Sequence, residues 1–273
     1  MDGPYSVLKD VLREIGPCLV AFSGGVDSTF LLRVAHDVLG DGVTAVTAVS
    51  PSLAASERRE SENLARRIGA RHLLVRTDEF DDPRYLRNDE SRCYYCKSEL
   101  FRVLKTILRS AGGGAIIYGA ITDDLGDDRP GMRAAEEAGV RAPLIEAGMT
   151  KEMIRALSHR LGLPTWDKPA MACLASRIPR RVPVTRSALL RVDRAEAAVR
   201  ALGYRQVRVR LQGDDARVEL DRDGLRRSTP PRARRRLMQA VLAAGFRQVV
   251  VDPQGYRPGG RPPAPVVRSV PEP

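Results

Sequence analysis

Cys18-Leu19-Val20-Ala21-Phe22-Ser23-Gly24-Gly25-Val26-Asp27-Ser28 is the stretch that decides how this chain is read. Five apolar residues, the composition of a buried strand, run into a string of small and polar ones. An amphipathic segment, residues 28–39, begins where that string stops. Two glycines at a strand-to-helix turn let the backbone close tightly and approach an anion, and the helix start adds N–H groups and the positive end of its dipole. Ser23 and Ser28 supply hydroxyl donors, and Asp27 is suited to hold Mg²⁺ beside phosphates. No Lys-Ser or Lys-Thr follows the glycines, so this is not the loop that grips a transferring γ-phosphate. The spacing of a dinucleotide fingerprint is absent too. A plain strand-to-helix turn is the bland alternative, and the complete string Ser23, Gly24, Gly25, Asp27, Ser28 argues against it.

Outward from this loop, short runs rich in Val, Ile and Leu (18–22, 43–49, 72–75, 115–118) alternate with helical spacing (28–39, 54–68, 97–109, 150–161). Thr150 reads as an N-cap and Gly162 as a stop. Such alternation predicts an α/β fold with a doubly wound parallel sheet, whose ligands sit at the carboxyl ends of the strands. The pattern breaks over 166–183, where Pro169, Pro179 and Pro183 fall. A helix (187–202), two strands (206–211, 217–220), a basic helix (231–244) and a strand (248–251) follow, the order of a small α+β domain. The expected organisation is therefore a nucleotide domain over 1–178, a small α+β domain over 179–257, and a Pro-, Gly- and Arg-rich tail over 258–273 that is expected to be disordered.

Composition agrees with a globular chain: 273 residues, 43% hydrophobic and 29% charged. No apolar run approaches the roughly 20 residues of a membrane span, and residues 1–10 do not resemble a signal peptide. The expected location is the cytoplasm. The net charge of +11 is uneven: residues 177–273 hold 22 Arg, no Lys and 9 acidic residues, a net of +13. That half suits an anionic partner, either a phosphorylated small molecule or RNA. Yet 40 Arg against 5 Lys in the whole chain also reads as a general choice of Arg for surface cations.

Ser23 to Ser28 matches the Ser-Gly-Gly-x-Asp-Ser signature of the PP-loop ATP pyrophosphatases, which share an adenine nucleotide alpha hydrolase-like fold. Three further stretches narrow the resemblance: residues 123–131 (DDLGDDRPG), 163–169 (LPTWDKP) and 173–179 (CLASRIP). Together they closely resemble the LarE family, over roughly residues 15–257. The resemblance implies an ATP-dependent sulfur transferase in biosynthesis of the nickel-pincer nucleotide cofactor of lactate racemase. The acceptor would be a pyridinium dicarboxylate mononucleotide. Its carboxylate would attack the α-phosphate of ATP, pyrophosphate would leave, and sulfur would displace AMP to give a thiocarboxylate. ATP and Mg²⁺ are the implied cofactors, and homo-oligomers the implied assembly. Two departures from the family pattern stand out: Asp128 where Tyr is expected, and Arg180-Arg181 in place of Tyr-Gly.

Cys18, Cys93, Cys96 and Cys173 are too few, in a chain of this size, for a disulfide framework. Cys18 reads as a buried small hydrophobe. Three readings compete for the others. In one, Cys173 is a sacrificial donor, as in some LarE enzymes, its thiolate attacking the adenylate and Cβ–S cleavage leaving dehydroalanine. In another, Cys93, Cys96 and Cys173 ligate three irons of a [4Fe-4S] cluster whose open site carries the transferred sulfide; three thiolates suit such a cluster better than structural zinc. The third is a redox Cys-x-x-Cys, weakly supported by flanking Arg92 and Lys97. Plain helix-start residues at 93–96 are the bland case. Arg177, close to Cys173 in sequence, is a candidate to favour its thiolate.

Arg208 and Arg210, two apart on a strand, share a face and make a fork for a phosphate. The resemblance gives them the acceptor's phosphate and gives Glu219, in the paired strand, an assisting role with metal. Asp123, Asp124, Asp127 and Asp128 form an acidic cluster after the fourth strand, either near Mg²⁺ or as helix caps. No residue is paired by motif to His36, His72 or His159, so a hydrolase triad has no support. The competing functions are a tRNA thiolase, opposed by 5% aromatic content and the lack of an RNA-binding module, an ammonia-using ligase in which the cysteines are incidental, and a nucleotide sensor.

Overall fold

A computed structural model describes residues 2–126, 129–170 and 172–257. Asp127, Asp128 and the 258–273 tail, all named above, lie outside the described residues. Two compact units part between Asp193 and Arg194.

The first unit opens with α1 (Asp2–Ile15), β1 (Cys18–Ala21), α2 (Val26–Leu39), β2 (Val43–Val49), α3 (Ala55–Ile68) and β3 (Arg71–Arg76). It continues through α4 (Pro83–Leu86), α5 (Arg92–Ser110), β4 (Ala115–Tyr118), α6 (Pro130–Glu137), α7 (Pro143–Glu146) and α8 (Lys151–Arg160). The four strands form one parallel sheet in the order β3-β2-β1-β4. Alternate residues of β1 face opposite layers. Cys18 and Val20 join Leu8 and Leu12 of α1, Phe30 and Leu31 of α2 and Ile154 of α8. Leu19 joins Leu100, Phe101 and Leu104 of α5 and Ala134 and Ala135 of α6. A central strand buried on both faces must be apolar throughout, which is why the 18–22 run shows no alternation. The expected doubly wound α/β sheet is the observed one.

One difference concerns the cysteine pair. The helix expected over 97–109 begins at Arg92, so Cys93 and Cys96 stand inside α5 and not in a loop before it. Spaced by three, they share a helical face. The intervening rings point away from that face: Arg133 lies 4.6 Å over Tyr94 and Arg84 4.6 Å over Tyr95.

A last helix, α9 (Arg186–Ala201), spans the division. The segment between residue 178 and that division still packs on the first unit, where Val184 N–H bonds the Leu86 carbonyl at 2.9 Å and Asp193 accepts from the Ala55 N–H at 3.4 Å. The second unit holds β5 (Val207–Gln212), β6 (Asp215–Leu220), α10 (Arg222–Ser228), α11 (Pro231–Leu242) and β7 (Val249–Val251), with sheet order β5-β6-β7. One face of this sheet is apolar, with Val207, Val209, Leu211, Val218 and Leu220 buried. The other carries Arg208, Arg210, Arg217 and Glu219, as period-two alternation requires. No described helix is long and apolar enough to cross a membrane.

Candidate active site

The loop after β1 has the shape its glycines allow. Gly24 is left-handed at φ +69°, and Ser23 and Ser28 close across the loop through their hydroxyls, 3.0 Å apart. Gly25 is the N-cap of α2, with no side chain capping the helix start, so its first N–H groups are left for an anion. Gly119, just past β4, packs flush against this start. A Cβ there would lie 3.0 Å from the Ser28 nitrogen and 3.1 Å from its Cα, so any side chain would have to press the loop backbone outward by a few tenths of an ångström.

Two lysines that sequence reasoning missed complete the loop. Lys168 donates to the Gly24 carbonyl at 2.8 Å and pairs with Glu60 at 2.8 Å. Lys151, first residue of α8, donates to both carboxylate oxygens of Asp27 at 2.6 and 2.5 Å. Their partners lie 144 and 124 residues away, beyond any local motif. A usable signal was present nevertheless: the chain has 5 Lys, and two of them meet here. The acidic cluster is explained in part. Asp123 accepts from the Lys151 N–H at 2.9 Å, and Asp124 accepts from Ile121 N–H and pairs with Arg129 at 2.5 Å. Asp123 thus serves the start of α8, while Asp124 pairs with the residue before α6, whose start no side chain caps.

The thiols gather around two buried arginines. Cys173 is exposed, one residue before a 3₁₀ turn over Leu174–Arg177. Its neighbour Leu174 donates to the Ser52 carbonyl at 2.9 Å, beyond the end of β2. Lys168, anchored on the nucleotide loop, is five residues earlier, which keeps Cys173 within about 18 Å of it along the chain. Arg177, 1% exposed, donates to the carbonyls of Ala172 and Cys173, the latter at 2.9 Å, and to the Ser176 hydroxyl at 2.9 Å. Its visible work is to hold the backbone that carries the thiol.

Arg92, 5% exposed, donates to the Asn88 side-chain oxygen and to the Ala175 carbonyl at 2.8 Å. Burial by itself would lower its guanidinium, but the Cys173 and Cys93 sulfurs hold it above its ordinary value. Asn88 in turn donates to the carbonyls of Pro179 and Val182 at 2.8 and 2.9 Å. Cys96 is pushed up to about 12, first by burial, then by Glu79 and by the Cys173 and Cys93 sulfurs. Cys93, Cys96 and Cys173 therefore share one electrostatic neighbourhood. They do not converge as a ligand set: among the described residues no group of three or more His, Cys, Asp or Glu is placed to hold a metal ion. Burial likewise pushes Cys18 up to about 12, as befits a core thiol.

Arg181 sits at φ +65°, in the left-handed region that disfavours a Cβ. The glycine that the resemblance leads one to expect at this place would match that backbone, and the arginine stores strain there. Arg181→Gly is expected to raise stability by about 0.5–1 kcal/mol in urea unfolding. Arg180 instead donates to the Asp89 carbonyl at 2.6 Å.

In the second unit Arg208 and Arg210 share a face as expected, in different circumstances. Arg208 is 3% exposed and lies 5.4 Å from the Tyr256 ring centre. Arg210 is held by Glu219 through two bonds of 3.0 Å. Arg217 pairs with Asp252 at 2.7 Å. The histidines are structural. His72 meets the Thr47 hydroxyl at 2.9 Å, His36 the Gly40 carbonyl at 3.2 Å, and His159 stands edge-on to Trp166 at 4.7 Å. Burial holds His72 below its ordinary range.

No family model matches the chain. It is 44% identical, over 252 residues, to an uncharacterised protein of Synechocystis sp., covering 92% of this chain and 94% of the relative. It is 37% identical, over 263 residues, to the pyridinium-3,5-bisthiocarboxylic acid mononucleotide synthase of Lactiplantibacillus plantarum, covering 93% and 92% respectively. An uncharacterised protein of Methanocaldococcus jannaschii is 23% identical over 239 residues, 88% of this chain and 90% of the relative.

Proposed function

The chain belongs to the LarE family, the pyridinium-3,5-bisthiocarboxylic acid mononucleotide synthases, and from that premise we propose that this enzyme adenylates a carboxylate of a pyridinium dicarboxylate mononucleotide and replaces AMP by sulfur. The observation that carries the reading is an exposed thiol, Cys173, on a backbone clamped by buried Arg92 and Arg177 and tethered through Lys168 to a phosphate-shaped loop. A carboxylate is a poor electrophile until its oxygen is esterified, and AMP is a good leaving group. The N–H groups at the start of α2 hold the pyrophosphate as charge develops on it. Mg²⁺ in such sites is bound by one or two carboxylates together with substrate phosphates. Asp27 fits that pattern, and a nucleotide-borne ion needs no three-residue cage, of which none is found among the described residues.

In the sulfur step the Cys173 thiolate attacks the adenylate carbonyl and AMP leaves, giving a thioester to the protein. Removal of the Cα proton and cleavage of Cβ–S then release the thiocarboxylate and leave dehydroalanine at 173. A second reading, sulfide supplied from a [4Fe-4S] cluster on Cys93, Cys96 and Cys173, is favoured by one feature, the electrostatic influence of the Cys173 and Cys93 sulfurs on Cys96. Such a cluster would supply a replaceable sulfide, and the three side chains would first have to draw together. Arg208 and Arg210 are proposed to take the acceptor's phosphate, with Glu219 yielding Arg210 and assisting a metal. Location in the cytoplasm and assembly into homo-oligomers belong to the same proposal.

The test is incubation of anaerobically purified enzyme with ATP, Mg²⁺ and the dicarboxylate mononucleotide. Pyrophosphate release that depends on the acceptor, with one oxygen replaced by sulfur in the product mass, is the expected result. Pyrophosphate released without sulfur incorporation would turn the reading toward an ammonia-using ligase. Iron and acid-labile sulfide in the same preparation decide between the two sulfur sources.

A further inference from the structure

Lys151 occupies a position that the proposed chemistry gives to something else. Its ammonium sits evenly on both oxygens of Asp27, at 2.5 and 2.6 Å, where the nucleotide's divalent cation would bind. Its backbone is fixed at the start of α8, because Asp123 accepts its N–H and Thr150 caps the helix through the Met153 N–H at 3.3 Å. Its side chain is not fixed to the same degree: Lys151 is 39% and Asp27 24% exposed. An ion pair so open to water is weak, enough to bias a site and too little to lock it.

Building on the ATP reading above, we infer that Lys151 is a stand-in cation, which holds Asp27 in the nucleotide-free protein and gives it up to Mg²⁺ when the nucleotide arrives. Mg²⁺ sheds water reluctantly and binds through a carboxylate or two plus phosphates, so on the bare loop it meets one carboxylate already neutralised. With the nucleotide present, the metal brings the phosphates' charge with it and displaces the ammonium. The released ammonium stays at the loop, on a flexible four-carbon stem, beside the polyphosphate. Residue choice supports this division of labour. In a chain with 40 Arg and 5 Lys, a lysine faces Asp27. A guanidinium would grip the carboxylate in a planar two-bond fork, whereas an ammonium is a point charge that lets go.

Mn²⁺ alone, titrated into the nucleotide-free enzyme and followed by electron paramagnetic resonance, tests the exchange. Lys151→Met is expected to bind Mn²⁺ about fivefold tighter than wild type, the gain that loss of a half-exposed competitor allows. Adding Asp27→Asn to that variant should remove the gain, and Lys151→Arg should bind Mn²⁺ no better than wild type. Equal Mn²⁺ affinity in wild type and Lys151→Met, or a gain that survives Asp27→Asn, overturns the inference. Lys151→Gln gives the same comparison should methionine disturb α8, with urea midpoints reporting the fold. ATP binding by wild type is measured separately. Its absence would defeat the nucleotide reading, while the metal comparison, made without nucleotide, still judges Lys151.

Discussion

Cys173→Ala is expected to abolish thiocarboxylate formation, by more than about 1,000-fold as for other lost nucleophiles, while acceptor-dependent pyrophosphate release persists. The two halves separate because the proposed mechanism assigns adenylation to the loop after β1 and sulfur transfer to the segment after residue 168. Single-turnover mass spectrometry checks both at once, since it reads the product and the protein together. If Cys173 is the donor, wild-type protein loses the mass of one H₂S per thiocarboxylate formed, and Cys93→Ala still performs that single turnover. If a cluster is the donor, the protein mass is unchanged and Cys93→Ala loses iron, sulfide and transfer together. Transfer by Cys173→Ala at the wild-type rate would remove Cys173 from the chemistry under either reading and leave the three thiols incidental.

Arg92→Met is the substitution from which the largest structural loss is expected, about 2–5 kcal/mol in urea unfolding. The guanidinium, 5% exposed, serves the Asn88 side-chain oxygen and the Ala175 carbonyl, and methionine leaves both acceptors buried and unanswered. A fall in the urea midpoint with an unchanged denaturant slope would show that the native state alone is affected. Arg92→Lys should recover little, because one ammonium does not reproduce the spread of a planar fork. A loss below about 1 kcal/mol would mean that water reaches these acceptors, and that the thiol segment is held by Arg177 and Leu174 instead.

The sheet was legible because its central strand β1 is packed on both faces and so stands out as a short unbroken apolar run. The nucleotide loop was legible because glycines, hydroxyls and a carboxylate are contiguous from Ser23 to Ser28. Helix α5 was read too short, since Arg92, Cys93 and two tyrosines do not look like a helix start. Their conformation is secured by tertiary contacts: Arg92 reaching Ala175, and Arg133 and Arg84 covering the rings. Lys151, Lys168 and Asn88 escaped notice for the same reason, each acting on a partner that lies far along the chain. Gly119 is different in kind: one glycine after a strand is commonplace, and only the 3.0 Å approach to Ser28 shows how tightly a side chain there would press on the loop. The phosphate role of Arg208 and Arg210 was inferred from alternation and from the family resemblance, and neither tells of Glu219 gripping Arg210.

Asn88 ties residues 178–182 to the turn before α5, and this has a consequence for how the molecule is made. On the ribosome, Cys93 and Cys96 emerge some eighty residues ahead of Cys173. Until the later segment arrives, Arg92 has no Ala175 carbonyl to bond and its helix end has no lid. Long-range closures of this kind come late, after local helices and strands have formed. A growing or truncated chain that stops short of these residues therefore has a finished nucleotide loop in sequence, while Asn88 and Arg92 still lack their late partners. The segment that carries Cys173 closes onto the start of α5 only when almost the whole first unit has been synthesised, an order written into the chain and requiring no additional protein.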